Sequence, residues 1–160
     1  MIRGFALDRE QLERAYLERA SAAHPDRVVG ASSEIRRAAM EDSAAINVAY
    51  RVLRDPVARA EYLVALAGID LDSNDRQTGA PHPEQAFLIE MIERRDQLDE
   101  LDQADESARG RLREGVEAEI DEVFDAALAA LAAGETPRAA LALVHRRYLQ
   151  RFLDEIDART

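Results

Sequence analysis

The chain has 160 residues, a formal net charge of −11 and no Cys. That length can bury one good core or two small ones, and the missing thiols exclude disulfides and thiolate metal sites. Residues 1–67 hold ten Arg against ten Asp/Glu, so the whole acid excess falls on residues 68–160, with eleven Arg against 22 Asp/Glu. This step marks two units with different surfaces and speaks against nucleic acid, whose phosphates need clustered cations.

No apolar run is long enough to span a membrane and no secretory leader is read, so the expectation is a soluble, intracellular protein with no membrane partner. The periodicity is helical throughout, with no sustained strand alternation. A first helix is expected from Asp8, a good N-cap, to about Ala23, with Leu12, Tyr16 and Ala20 as its buried stripe. A second should run from about Ser33 to Leu53, capped by Ser32 or Ser33, with Ile35, Ala39, Ile46, Tyr50 and Leu53 facing inward. The two make an antiparallel hairpin joined through a short loop containing Gly30. Asp55-Pro56 stops the second helix and starts a short third one, Pro56 to Ala67, with Tyr62, Leu63 and Leu66 apolar and Gly68 at its end.

Residues 68–82 read as a linker, rich in Gly, Asn, Asp and Pro. Beyond it lie helices over about Pro83–Gln103, Glu106–Ala133 and Thr136–Arg159, with Gly134 at a C′ position and Thr136-Pro137 opening the last. The fold expected is all-α: a helical hairpin plus short helix over residues 1–67, then a three-helix, up-down-up bundle over residues 83–160.

The turn between the first two helices carries His24-Pro25-Asp26, followed by Arg27. Exposed polar turns are where function sits, because packing does not dictate their side chains. Pro25 fixes its own φ and disfavours helix at His24, so the turn has a defined shape. Read alone, the tripeptide is equally an ordinary helix–helix turn with Asp26 as a cap.

Around that turn, Tyr16-Leu17 precedes HPDR (24–27), and SAAINVAYRVLRDPVARAEYLVALAG (43–68) follows. FLIEMIERRDQLDEL (87–101) opens the bundle and RFLDEID (151–157) lies near its end. Over nearly its full length the chain resembles the HscB family of J-domain co-chaperones in iron–sulfur cluster assembly. The resemblance implies a co-chaperone and not an enzyme. Its partners would be a DnaK-type ATPase chaperone, HscA or its equivalent, whose ATP hydrolysis it promotes, and the scaffold protein IscU, which the bundle delivers. His24, Pro25 and Asp26 would dock on the chaperone, and Leu88, Ile89, Ile92 and Phe152 would contact the scaffold. Family members open with a longer, aromatic-rich first helix. Here only Met1 to Leu7 precede the hairpin, so either the start is misassigned or Phe5 and Leu7 cover the core in reduced form.

Read from the residues, Asp26 offers a carboxylate to a partner cation. Arg14, Arg19 and Arg27 are candidates for steering, although Glu10, Glu13 and Glu18 balance the charge of the first helix. On the helix from Pro83, the 100° step per residue sets Met91, Leu98 and Leu101 within about 40° of Phe87 as a core stripe. Leu88, Ile92 and Ile89 fall on a flank the bundle does not need, at roughly 100°, 140° and 200°. Such a flank on an acidic helix points to a partner surface, or to a place where the first unit packs. Glu90, Glu93, Asp96 and Glu100 rim it. Phe152 lies in the stripe of Val144, Tyr148 and Leu149 and reads as core by spacing; only the resemblance puts it at the scaffold site. Tyr16 and Tyr50 read as hairpin core.

No cofactor is expected: there is no phosphate-binding Gly loop, and His24, His82 and His145 form no metal-ligand spacing. Three other readings stay open. They are a J-domain protein with another client, a self-associating helical adaptor closed through Leu88, Ile89 and Ile92, and, remotely, a metal-dependent hydrolase.

Overall fold

The computed structural model describes residues 5–75, 77–101 and 106–159. Every regular element among them is helical: α1 (Arg9–Ala22), α2 (Ser33–Arg54), α3 (Pro56–Leu66), α4 (Gln85–Glu100), α5 (Glu106–Ala132) and α6 (Thr136–Asp157), with a short 3-10 turn at Pro25–Val28. The chain forms two compact units, Met1–Tyr62 and Leu63–Thr160. The expected end of the fourth helix at Gln103 falls outside the described residues.

Local chemistry sets the helix ends. Asp8 Oδ1 accepts from the N–H groups of Glu10 (2.9 Å) and Gln11 (3.1 Å), so it caps α1. Ser32 Oγ accepts from Ile35 N–H at 3.3 Å and caps α2. Asp55 ends α2, and its Oδ1 accepts from Ala58 N–H at 2.9 Å to open α3. Each of these oxygens satisfies a donor that the first turn leaves without a partner. At the end of α3, Gly68 takes a φ of 92°, a left-handed geometry that only Gly adopts without strain.

In the first unit α1 packs on α2. The Tyr16 and Tyr50 rings stack at 4.0 Å, and Tyr16 Oη donates to Asn47 Oδ1 at 2.9 Å. Neither helix has a fully buried residue. Leu12, Tyr16, Ile46, Tyr50 and Leu53 instead line a groove of about 300 Å³. Ile35, expected inside, is exposed; periodicity identifies a face but not what covers it. Phe5 is half-buried, and the Arg59 guanidinium lies 4.4 Å over its ring. Along α3 the buried residues are Ala60 and Val64, while Tyr62 and Leu66 face out. The helix thus buries its small side chains, at i and i+4, and not its largest ones.

Residues 69–75 and 77–80, expected as linker, form hydrogen-bonded loop structure within the second unit. Asp70 N–H donates to Thr78 O (2.6 Å) and Ala80 N–H to Ser73 O (2.8 Å). Asp75 Oδ1 collects three donors: the N–H groups of Gln77 and Thr78, and Thr78 Oγ1. Those bonds hold its carboxyl below the ordinary value of 3.8. Arg147 of α6 pins the loop by donating to Leu71 O at 3.0 Å and Asp72 Oδ1 at 2.8 Å.

The second unit's core joins all three of its long helices. Met91 and Leu98 of α4 meet Val116 and Ile120 of α5 and Leu149, Phe152, Leu153 and Ile156 of α6, with Phe87, Leu101, Leu112 and Val123 packed against them.

Candidate functional site

Two places stand apart from the cores: the turn at His24-Pro25-Asp26 and the outer face of α4.

The turn starts where α1 stops, at Ala22, because Pro25 cannot continue a helix and biases His24 to extended backbone (φ −64°, ψ 129°). His24 is the N-cap of the 3-10 turn, with Nδ1 accepting from Asp26 N–H at 3.3 Å. The Asp26 side chain is 84% exposed and points to solvent, with His24 Nδ1 3.5 Å from its Oδ2. Gly30, at φ 94°, closes the loop into α2. Arg27 Nη1 reaches back to Ser21 O at 3.5 Å, towards the carbonyls that end α1. Arg14 and Arg19 are exposed and make no ion pair among the described residues. The expected neutralisation by Glu10, Glu13 and Glu18 is therefore one of net charge, not of contacts.

Four sets of contacts fix the orientation of α4. Met91 and Leu98 are buried in the core. Arg94 donates to Glu119 of α5 and to Glu90, both at 2.6 Å. Burial opposes its charge, but the bonds to Glu119 and Glu90 and their negative charge outweigh that and raise its pKa. Arg95 Nε donates to both oxygens of Glu155 on α6, at 3.2 and 3.0 Å. His145 of α6 stacks on Phe87 at 4.0 Å, and its Nε2 comes within 3.3 Å of Glu84 just before α4.

With Met91 facing the core, a step of about 100° per residue turns Leu88, Ile92 and Ile89 progressively outward. Leu88 is half-buried, while Ile92 is 57% and Ile89 47% exposed. Glu93, Asp96 and Glu100 are exposed beside them. Phe152, which the resemblance puts at the scaffold site, is 0% exposed and sits among Met91, Leu149 and Ile156. Spacing placed it in the core, and the core is where it lies. Arg94, Arg95 and His145 hold α4 and were not singled out from the sequence. Glu90-x-x-x-Arg94 was a visible i,i+4 pair, but contacts across 25 to 60 residues leave no trace in periodicity.

Among the described residues no group of His, Asp or Glu is arranged to hold a metal ion. No helix among them is long and apolar enough to cross a membrane.

A two-helix hairpin closed by an exposed His-Pro-Asp turn, followed along the chain by a separate helical bundle, defines the class: a J-domain protein. A family model described as the HSCB C-terminal oligomerisation domain matches residues 83–157. The co-chaperone protein HscB homolog of Bordetella avium is 41% identical over 141 residues, 84% of this chain and 81% of that one. Two crystallised relatives share the fold. Human co-chaperone protein HscB superimposes with a TM-score of 0.79 at 26% identity, covering 98% of this chain and 77% of that one. Chaperone HscB from Vibrio cholerae does so with a TM-score of 0.76 at 28% identity, covering 97% and 90%. The chain belongs to the HscB co-chaperone family.

Proposed function

We propose that the chain is a two-ended adaptor. One end docks on a DnaK-type ATPase chaperone of the HscA kind and promotes its ATP hydrolysis; the other presents an IscU-type iron–sulfur scaffold to that chaperone. Membership of a co-chaperone family supports a chaperone partner. On this reading the chaperone does the chemistry, the chain itself is not an enzyme, and its place is the bacterial cytoplasm. The docking end is residues 1–67 and residues 83–160 carry the client, with the loop that Arg147 holds lying between them in sequence.

The observation that carries the docking half is the open Asp26 carboxylate on a shaped turn. A carboxylate there forms a charge-assisted, directional bond with a partner guanidinium, with Arg14 and Arg19 available to steer the approach. Arg27 serves the turn through Ser21 O. The client half rests on Leu88, Ile89 and Ile92, an apolar patch on a helix whose core face is filled by Met91 and Leu98. Phe152 acts beneath this patch, as part of the floor that fixes α4.

The test is ATP turnover of an HscA-type chaperone. The wild-type chain is expected to raise it and His24→Gln to abolish the rise. Absence of stimulation by the wild type overturns the docking half. In titration calorimetry with the scaffold, Ile92→Ala is expected to weaken binding by about 1–3 kcal/mol, as for a buried anchor. Unchanged binding in both Ile92→Ala and Leu88→Ala removes the scaffold as client.

A further inference from the structure

The hairpin of α1 and α2 has an open apolar groove. Leu12, Tyr16, Ile46, Tyr50 and Leu53 line about 300 Å³, and Arg19 is the one charged residue on its walls among the described residues. Neither helix has a fully buried residue, so this surface has no core to complete. From Leu12 to Arg19 the groove runs about 10 Å along α1, at 1.5 Å per residue. It is apolar at its Leu12 and Leu53 end and cationic at its Arg19 end. Arg19 makes no ion pair among the described residues, and Asp42 shares a neighbouring hollow with it.

The outer face of α4 has the complementary order. At about 100° per residue, Leu88, Ile92, Asp96 and Ile89 fall at roughly 100°, 140°, 180° and 200° from Phe87, on one face. Ile92 is 57% and Ile89 47% exposed. Asp96, one turn beyond Ile92, is exposed and makes no ion pair among the described residues. Its neighbour Asp99 is different, being held by Arg159 at 2.6 Å. From Leu88 to Asp96 the stripe is about 12 Å long. An apolar groove ending in a cation thus matches an apolar stripe of similar length ending in an anion.

We propose that the groove takes α4 of a second copy of this chain, as an amphipathic helix laid in a hydrophobic groove. Leu88, Ile89 and Ile92 pack against Leu12, Tyr16 and Leu53, and Asp96 meets Arg19. Apolar burial supplies the attraction, while the charge-assisted pair sets which way the helix lies. The two joined surfaces differ, so the contact either closes reciprocally between two copies or runs on along a row of them. The patch is also the client end in the reading above, so self-docking and client exclude one another; that consequence rests on the client reading.

The test is sedimentation of the full chain from about 1 µM to about 1 mM, at about 0.15 M salt to screen the repulsion between acidic copies. The wild type is expected to gain mass with concentration, and Ile92→Glu to stay at the mass of one chain. Arg19→Glu sets two anions together and Asp96→Arg two cations, so each alone is expected to associate roughly three- to tenfold more weakly. Mixed in equal amounts, the two variants are expected to regain the wild-type behaviour. The reversed groove of one then faces the reversed helix of the other, and their unreversed faces match as before. A wild type that keeps the mass of one chain, single variants that associate as the wild type does, or a mixture no better than its parts overturns the proposal.

An IscU-type scaffold added to the associated wild type is expected to separate the copies. A scaffold that binds without separating them overturns the exclusion. A scaffold that does not bind at all overturns the client reading instead, and is told apart by the mixed variants still regaining association.

Discussion

Replacing Phe152 by Ala separates core from binding surface most sharply. The ring is fully buried among Met91, Leu98, Val116, Ile120, Leu149, Leu153 and Ile156, drawn from three helices. Removing it forfeits the transfer free energy of the ring and leaves a cavity that the close-packed neighbours cannot fill, a cost of about 3–5 kcal/mol. Domains of this size are stable by about 5–15 kcal/mol, so a large part of the second unit's stability would go. With a urea dependence of about 2 kcal/mol per molar, the unfolding midpoint falls by about 2 M. The assay is urea unfolding followed by α6 amide resonances, which report the second unit alone. Ile92→Ala, at a site 57% exposed, should move the same midpoint by no more than about 0.5 kcal/mol equivalent. A Phe152→Ala chain within about 1 kcal/mol of wild type that nevertheless loses its client would refute the reasoning, because Phe152 would then act as a surface anchor.

Other expectations follow from the loop and from α5. A Cβ at Gly79 would collide with the Asp75 and Ser73 carbonyl oxygens, which are backbone and cannot swing away. Gly79→Ala should therefore loosen the loop, at about 1–3 kcal/mol, read as lost exchange protection at Ala80 N–H. Gly115 lies inside α5 with nothing within 4 Å of an added Cβ. Gly115→Ala should stabilise the second unit by about 0.5–1 kcal/mol in the same urea assay; destabilisation would show a contact that the geometry lacks. The Asp75 carboxyl is held below its ordinary value by the Gln77 and Thr78 N–H groups and by Thr78 Oγ1. A depressed carboxyl contributes fully above the unfolded value and loses its contribution as pH falls through the folded one. Thr78 amide protection should then hold down to about pH 4 and fail below it; failure near neutral pH would contradict the assignment.

The parts of the fold legible in the sequence are those set by short-range chemistry. Asp8, Ser32, Asp55 and Gly68 mark helix ends because caps and left-handed residues act within one turn of where they stand. Met91 and Leu98 were legible as core because a 3.6-residue period fixes which residues share a face. What covers a face is a tertiary fact. Ile35 shared the inward stripe of α2 and is exposed, while Ala60 and Val64 are buried in place of the larger Tyr62 and Leu66. The loop at 69–80 read as linker because Gly, Asp and Asn favour turns, and composition does not reveal that Asp75 gathers three donors. At the candidate site, the turn and the isoleucine flank were legible, one from its motif and the other from surplus apolarity. The supports of α4, Arg94 to Glu119, Arg95 to Glu155 and His145 to Phe87, join residues far apart in sequence and needed coordinates.

The central claim is that one chain acts at both ends at once, and a mixing experiment tests it directly. Scaffold-dependent ATP turnover of an HscA-type chaperone is measured with Asp26→Ala, with Ile92→Glu, and with the two variants together. Each alone should fail, the first for want of the exposed carboxylate and the second for want of the apolar patch. An adaptor must carry both ends on one polypeptide, so the mixture should fail as well. Turnover restored by the mixture to the wild-type level would contradict the account, since the two ends would then act independently.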